Sequence, residues 1–405
     1  MSSNRGRAQA TGVSTATTTT VLHVRTVVGA GGGADKTTLK SAKYLDGTAY
    51  CARAAYLHAP ADPGFAEIRR RAQAWGCPLI EIADRGALDP TVIFALARVC
   101  RRYGVRIWHA HEYKSNVLGV LLRPFLGLHL VSTVHGWVDF GPRLSLFYKL
   151  DRWALQRYDK VIAVSPDIHD ACLAAGIRPD RLVLIHNAIE ADAYRRQHVP
   201  AEASGRTAQS LGDLIRPVPP GRRVVGAVGR LSAEKGFDLL IDAFADLCRH
   251  GLDLELWIAG EGQERQALER RAAQSGCRER IVFLGFYPDG RRLFECFDAF
   301  CLPSLREGLP NVVLEAMAME VPMVATTAGG IGSVLRHDED AVLVTPGSAA
   351  ALENGLIRLL ESDDLCRRLV HAARARVERN FDFRARMRKV VAVYDALLAA
   401  PAVPG

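Results

Sequence analysis

At 405 residues and 44.2 kDa the chain exceeds what one hydrophobic core usually organises, so two or three domains are expected. With 49% hydrophobic and 24% charged residues, it excludes a disordered or membrane-embedded class and reads as globular. The net charge of +8 is uneven: Met1–Glu190 holds 24 Lys/Arg against 15 Asp/Glu (+9), and the remainder 28 against 29 (−1). A basic first half suits an anionic partner, such as a membrane surface, a lipid phosphate or nucleic acid, or else is an Arg-rich solvated face.

Nine scattered cysteines without a C-x-x-C pair are expected to be reduced thiols of a cytosolic protein, with no disulfide or zinc framework. The longest apolar run, Val117 to Val131, is interrupted by Arg123 and Pro124 and is too short to span a bilayer. The Ser/Thr/Ala-rich segment 1–20 lacks the apolar core of a signal peptide and is expected to be a disordered tail.

Order is expected from Val21, where Val21–Val28 reads as a buried strand. Further strands are expected near Tyr50–Leu57, Pro78–Ile82, Arg106–His109, His129–Val134, Lys160–Val164 and Leu182–Ile185. Helices fit between them, notably Asp89–Tyr103, Tyr113–Leu122, Pro142–Arg157 and Pro166–Ala175. Such alternation predicts a parallel doubly wound α/β sheet over residues 21–190. Residues 191–222, with Gly205, Gly212 and four prolines, have linker composition. Alternation restarts at Arg223–Val228 and continues through Leu254–Ala259, Ile281–Leu284, Ala299–Leu302, Met323–Ala325 and Val342–Val344. The second domain is expected over 223–382, ending in helices Ala349–Glu361 and Asp364–Asn380. A last helix, Phe383–Ala399, lies within a terminal segment 383–405 that is free to pack back on the first domain. Two such halves enclose a cleft, and ligands bind at the carboxyl ends of the strands.

The densest chemistry lies in Pro303–Met319, a loop running into an apolar helix that starts after Pro310. Glu315 is a carboxylate inside that buried helix, and burial there demands a hydrogen-bond partner, whether a ligand or a structural Arg. Glu307 stands beside Gly308 on a loop that lets backbone approach a ligand. The N–H groups of Val312 and Val313, at the positive end of the helix, are expected to be free for a phosphate. Two carboxylates for hydroxyls beside an anion site match the needs of a sugar joined to a nucleotide by phosphates.

The pattern E-G-L-P-N-x-x-x-E resembles the E-x7-E signature of the retaining glycosyltransferases of family 4, whose fold is GT-B: two Rossmann-like domains facing a central cleft. Gly229-Arg-Leu-Ser-Ala-Glu-Lys-Gly236 is similar to that family's G-R-L-x-x-E-K-G loop. The resemblance implies that Arg230 and Lys235 hold the donor diphosphate and stabilise it as it leaves, one by a planar fork and one as a point charge.

Val28–Thr37 fails the phosphate-loop pattern, because Ala30 and Asp35 occupy its glycine positions. The family places a Gly-rich loop here, which Gly31, Gly32 and Gly33 fit, with Gly32 and Gly33 assigned to the donor. Asp35 and Lys36 depart from the Glu more usual after the glycines. His135, in Thr133–Trp137, matches the family histidine that contacts the transferred sugar. His111 and Lys114, in His109–Asn116, match an H-x-H-x-x-K segment implied to meet the acceptor, or else mark a helix start with polar residues. Ile281–Tyr287 resembles the segment bracketing the nucleotide base, and Ser304 is a further donor-pocket candidate.

The resemblance thus implies catalytic His135, Arg230, Lys235 and Glu307, and donor contacts from Gly32, Gly33, Arg230, Lys235, Glu307, Gly308, Leu309, Asn311 and Glu315. It implies no metal and no cofactor, and the sequence offers no cluster at zinc-ligand spacing. The expected activity is retaining transfer from a nucleotide-diphosphate sugar to a saccharide, lipid-linked or polysaccharide precursor. The expected place is the cytoplasm, peripheral at the inner face of the cell membrane and held by weak contact with anionic lipid, without nucleic acid. The alternatives are a nucleotide-sugar epimerase of the same architecture and a non-catalytic protein that binds membrane or nucleic acid.

Overall fold

The computed structural model describes residues 18–136, 141–196, 218–287 and 290–399. The first half runs β1 (Thr19–Thr26), α1 (Gly33–Leu45), β2 (Tyr50–His58), α2 (Phe65–Ala74), β3 (Leu79–Ala83), α3 (Thr91–Tyr103), β4 (Val105–Ala110) and α4 (Tyr113–Leu126). It continues with β5 (His129–Val134), α5 (Gly141–Leu155), β6 (Lys160–Ala163), α6 (Pro166–Ala174) and β7 (Leu182–Leu184). All seven strands are parallel, in the order β3-β2-β1-β4-β5-β6-β7. The order reverses beside β1, so the loops after β1 and β4 open at the switch point where such sheets take ligands.

The second half runs β8 (Arg223–Val228), α7 (Phe237–Arg249), β9 (Leu254–Ala259), α8 (Arg265–Gln274), β10 (Ile281–Gly285), α9 (Gly290–Glu295) and β11 (Ala299–Leu302). It closes with α10 (Asn311–Ala318), β12 (Met323–Thr326), α11 (Ile331–Val334), β13 (Val342–Val344), α12 (Ala349–Leu360), α13 (Asp363–Asn380) and α14 (Phe383–Ala399). Its six parallel strands follow the order β10-β9-β8-β11-β12-β13. The fold is therefore two Rossmann-like α/β units.

The first strand begins at Thr19, two residues before its expected start, because Thr19 and Thr20 pair with Tyr50 and Cys51. Residues 1–17 of the expected tail, and 197–217 of the expected linker, lie outside the described residues. Helix α4 also outruns its expected end at Leu122 and carries Pro124 inside it. A proline costs a helix one hydrogen bond and crowds the preceding turn. Here only two residues follow it before Gly127, in the left-handed region at φ 61°, stops the helix.

Side-chain parity sorts the first sheet. Leu22, Val24, Trp108 and Leu130 point to the face covered by α3, α4 and α5. Val21, Ile107 and Val131 point to the face covered by α1, α2 and α14. Helix α14 thus returns from the second half onto the first: Tyr394 bonds His109, and Tyr50 donates to Asp395 at 2.6 Å.

Candidate active site

The two units meet where the Gly-rich loop of one faces α10 of the other. Asn311 Nδ2 donates to the Gly33 carbonyl at 2.8 Å, and Asn187 Nδ2 donates to the Leu309 carbonyl at 2.9 Å. The Lys36 ammonium reaches Glu315 Oε1 at 2.6 Å across 279 positions of sequence. A Cβ on Gly308 would lie 2.6 Å from the His135 carbonyl oxygen, so this glycine permits the close approach. Between these contacts remains a cavity of about 20 Å³, lined in part by Lys36, Asn311 and Glu315. A larger open depression of about 580 Å³ lies at β10, lined by Arg265 and Glu279 and by Ile281, Val282 and Phe283 of the segment expected to bracket a base, and by none of the candidate catalytic residues.

Both cations of the β8 loop are present at the cleft. Lys235 ends a short 3-10 turn, Ala233–Lys235, and its ammonium sits 2.5 Å from Glu307 Oε1, which also accepts from Ser304 Oγ at 2.7 Å. Gly236, at φ 64°, allows the chain to leave that turn under the Pro303 carbonyl, 2.3 Å from where a Cβ would be. Arg230 is mostly exposed and donates to Glu234 Oε1 at 2.8 Å. Burial would raise the Glu234 carboxyl, but hydrogen bonds from Ser232, the backbone and Arg230 hold it below its ordinary value. Its backbone carbonyl accepts from the Leu305 N–H at 2.8 Å, so Glu234 ties the two cleft loops together.

The expectation for the first turn of α10 needs correction. The Val313 N–H is not free: it donates to the Pro310 carbonyl at 3.1 Å. An i→i+3 bond tightens this helix start and uses one of the orphan donors. On the Gly-rich loop, Gly31 adopts φ 68°, and the Gly32 N–H is used by Asp35 Oδ2 at 2.6 Å. Asp35 also pairs with Arg25 at 2.7 Å. Burial alone would weaken the Arg25 charge, but Asp35, Tyr56 and Glu112 outweigh it and raise its affinity for the proton.

Lys114 differs most from the sequence reading. It is buried and donates to both Asp84 oxygens, at 2.7 and 2.6 Å, and to the Gly86 carbonyl at 2.7 Å. All three ammonium protons are used, so its role here is structural. His111 follows the last residue of β4 beside the α4 cap, where Glu112 accepts from the Lys114 and Ser115 N–H groups.

The apolar reading of Val21–Val28 concealed a histidine column. His23 and His109 are opposite one another on paired strands. His23 Nδ1 and His111 Nε2 share a hydrogen bond of 2.9 Å, while His109 bonds Tyr394 Oη at 2.6 Å and Thr133 Oγ1 at 2.8 Å. His135 extends the stack at 5.9 Å from His111. Burial pushes His23 down to about 3, with Arg386 adding to it, and burial with Arg25 and Arg386 does the same to His135. His109 and His111 lie well below the ordinary value through burial and their imidazole neighbours. All four are neutral near pH 7.

His23, His109 and His111 also bring three possible metal ligands within 4.8 Å, contrary to the sequence expectation of no cluster. Their geometry serves hydrogen bonding instead. The His109 ring lies nearly parallel to the other two, 4.8 and 4.7 Å away, and both its nitrogens have partners. With both His109 nitrogens in use, the three residues leave only His23 Nε2 and His111 Nδ1, buried without a hydrogen-bond partner, for a metal, fewer than the four ligands of a structural zinc site. The column escaped sequence reading because only the pairing register aligns residues 23 and 109; the period-two spacing of His109, His111 and the strand parity was the available signal.

Trp137 lies outside the described residues. Phe286, in the segment expected to bracket a base, is partly exposed beneath the Arg71 guanidinium, 5.5 Å away.

Comparison with known proteins follows the same division. Residues 32–193 match the profile described as Glycosyltransferase Family 4, and residues 215–376 that described as Glycosyl transferases group 1. The chain is 27% identical over 295 residues to the alpha-D-kanosaminyltransferase of Streptomyces kanamyceticus, covering 68% of this chain and 73% of that protein. It is 26% identical over 310 residues to the lipopolysaccharide core biosynthesis mannosyltransferase LpsB of Rhizobium meliloti, covering 72% and 80%. Among solved structures, Anabaena Alr3699/HepE in complex with UDP and glucose superposes with a TM-score of 0.78 at 21% identity, over 93% of this chain and 100% of that one.

Proposed function

This chain belongs to the GT-B glycosyltransferases, and from that premise we propose that it retains anomeric configuration while moving a sugar from a nucleotide diphosphate to a lipid-linked or polysaccharide precursor. The observation that carries the reading is the constellation on the second unit: Lys235 on Glu307, Arg230 on the same loop, and Glu315 in the helix that follows. Relatives named for lipopolysaccharide core assembly support the acceptor class, and neighbours solved with UDP and UDP-glucose support the donor class.

In this reading Arg230 and Lys235 neutralise the departing diphosphate, where charge grows in the transition state. Glu307 orients Lys235 and binds hydroxyls of the transferred sugar, and Ser304 fixes the carboxylate through its hydroxyl. Glu315 takes the ribose diol, sharing or exchanging its Lys36 partner. The contact at Gly308 brings the His135 loop over the sugar, while Gly32, Gly33, Leu309 and Asn311 close the cleft around the donor. This reading assigns no side chain as a covalent nucleophile and takes the reaction as front-face displacement. The leaving diphosphate helps to take the acceptor proton, and the protein contributes positioning and charge stabilisation.

We assign no metal and no cofactor to this step. The place of action is the cytoplasmic membrane face; no helix among the described residues is long and apolar enough to cross a membrane. Transfer assays with a panel of nucleotide sugars and lipid-linked saccharides, with the product anomer read by NMR and chelator in a parallel arm, test the reading. An inverted product, or transfer abolished by chelation, overturns the mechanism.

A further inference from the structure

Large exposed apolar side chains are unevenly distributed. In the second unit, among the described residues, only Phe286 and Leu305 are prominent. In the first, Phe94 on α3, Leu121 and Phe125 on α4, and Leu146, Leu150 and Trp153 on α5 all face outward, with Phe94, Phe125 and Leu146 exposed by 73, 77 and 60%. Scattered exposed apolar residues, such as Val28, Leu88, Leu173 and Leu184 of the same unit, are ordinary; the six on α3, α4 and α5 share one face. Helices α3, α4 and α5 cover one sheet face side by side. Helix α4 buries Leu118 and Leu122 inward and repeats Tyr113, Val117, Leu121 and Phe125 at intervals of four outward. Helix α5 carries Leu146, Leu150 and Trp153 as a second outward stripe. A helix of a water-facing surface is expected to have one apolar side; α4 has two.

The charges on this face have one sign. Helices α3 and α4 contain no Asp or Glu, and the one acid of α5, Asp151, is buried and accepts from Asn116 at 2.6 Å. Arg98, Arg101, Arg102 and Lys149 are exposed. The Arg157 guanidinium stacks 4.2 Å from the Trp153 ring, as at a surface that is part apolar and part ionic.

We propose that the outer face of α3, α4 and α5 docks on an anionic lipid bilayer, the cations meeting headgroup phosphates and the two apolar stripes entering the acyl boundary. Exposed carboxylates, which an anionic surface would repel, are missing from all three described helices. Leu121, Leu146 and Leu150 offer no flat ring on which a base could stack, whereas aliphatic side chains interleaved with aromatic ones match an interfacial membrane contact. Helix α4 starts two residues after His111, at the switch point of the sheet, so the docked face abuts the cleft mouth. A lipid-linked acceptor would then reach the cleft from the bilayer, a step resting on the acceptor class proposed above.

The test is co-flotation of the full chain with phosphatidylcholine vesicles, with and without phosphatidylglycerol. Binding is expected only with phosphatidylglycerol, falling as salt rises. R101Q/R102Q is expected to lower the partition coefficient about 25-fold at low salt, about fivefold for each basic residue. F125S/L150S is expected to lower it at least about tenfold at low and high salt alike. Both variants change exposed residues, so unfolding temperature and nucleoside-diphosphate binding stay at the native values. Equal binding to neutral vesicles, no flotation, or flotation unchanged in both variants overturns the proposal. So does a solution dimer broken by F125S/L150S, or displacement from vesicles by poly(U). Sugar transfer by a native chain that does not bind vesicles defeats the docking proposal alone; vesicle binding without any nucleotide binding defeats the glycosyl-transfer reading alone.

Discussion

Replacing Gly308 by alanine tests whether turnover depends on the contact between the two units. The added Cβ would sit 2.6 Å from the His135 carbonyl oxygen and 3.0 Å from Ile168 Cδ1. Carbon–oxygen contacts settle at about 3.3–3.6 Å. The two loops must therefore part by about 0.7 Å, and Gly308 is not among the glycines with positive φ, so alanine adds no backbone strain of that kind. Overpacking of this size costs about 1–3 kcal/mol. Because the clash lies between the units, the cost falls on closure and lowers the closed population by about 5- to 150-fold. The expected result is a matching fall in kcat, with nucleoside-diphosphate affinity and unfolding of the second unit nearly unchanged. Steady-state kinetics, calorimetric titration and small-angle scattering report the three quantities. Native turnover in the alanine variant would refute the argument that these loops meet during the reaction.

Arg230→Ala and Lys235→Ala are each expected to cut turnover about 100-fold or more, the usual loss of a charge-stabilising group, with the fold preserved; single-turnover assays and circular dichroism check this. Lys114→Met leaves the buried Asp84 carboxylate unpaired and is expected to cost about 3–5 kcal/mol in urea unfolding. Acid is expected to weaken the fold through the histidine column. His23 and His135 are pushed down to about 3 by burial and nearby Arg386, so between about pH 6.5 and 3 the unfolded chain binds more protons than the folded one. Stability is therefore full above the unfolded value of 6.5 and falls with decreasing pH, by up to about 1.4 kcal/mol per pH unit for each such histidine. Despite burial, which opposes it, hydrogen bonds from Lys40, Tyr44 and Lys43 hold Glu190 down at about 2, below that window. A melting temperature flat from pH 6.5 to 5 would contradict this assignment.

Much of the architecture was legible because parallel strands buried on both faces are short apolar runs, and His129–Val134, Leu254–Ala259 and Val342–Val344 coincide with their expected bounds. Helix ends were less so: only the folded geometry shows α4 tolerating Pro124 near its end. Local motifs marked Arg230, Lys235, Glu307 and Glu315, since their spacing is a property of one loop or one helix. Their partners were hidden. Lys36 meets Glu315 through the approach of two units, and the Lys114–Asp84 pair depends on the β3 and β4 loops lying side by side. The histidine column likewise needs strand register, which local pattern does not supply.

The most direct test of the donor site is calorimetric titration of Glu315→Gln and Glu307→Gln with the nucleoside diphosphate that binds the native chain. Glu315 is assigned to the ribose, an interaction made equally in ground and transition states. Its loss is expected to weaken nucleotide binding by about 1.5–3 kcal/mol, the scale of a hydrogen bond to a charged group. Glu307 is assigned to the transferred sugar, so Glu307→Gln is expected to bind the diphosphate almost as the native chain does while turnover falls about 100-fold. A Glu307→Gln variant that binds nucleotide more poorly than Glu315→Gln would contradict the account.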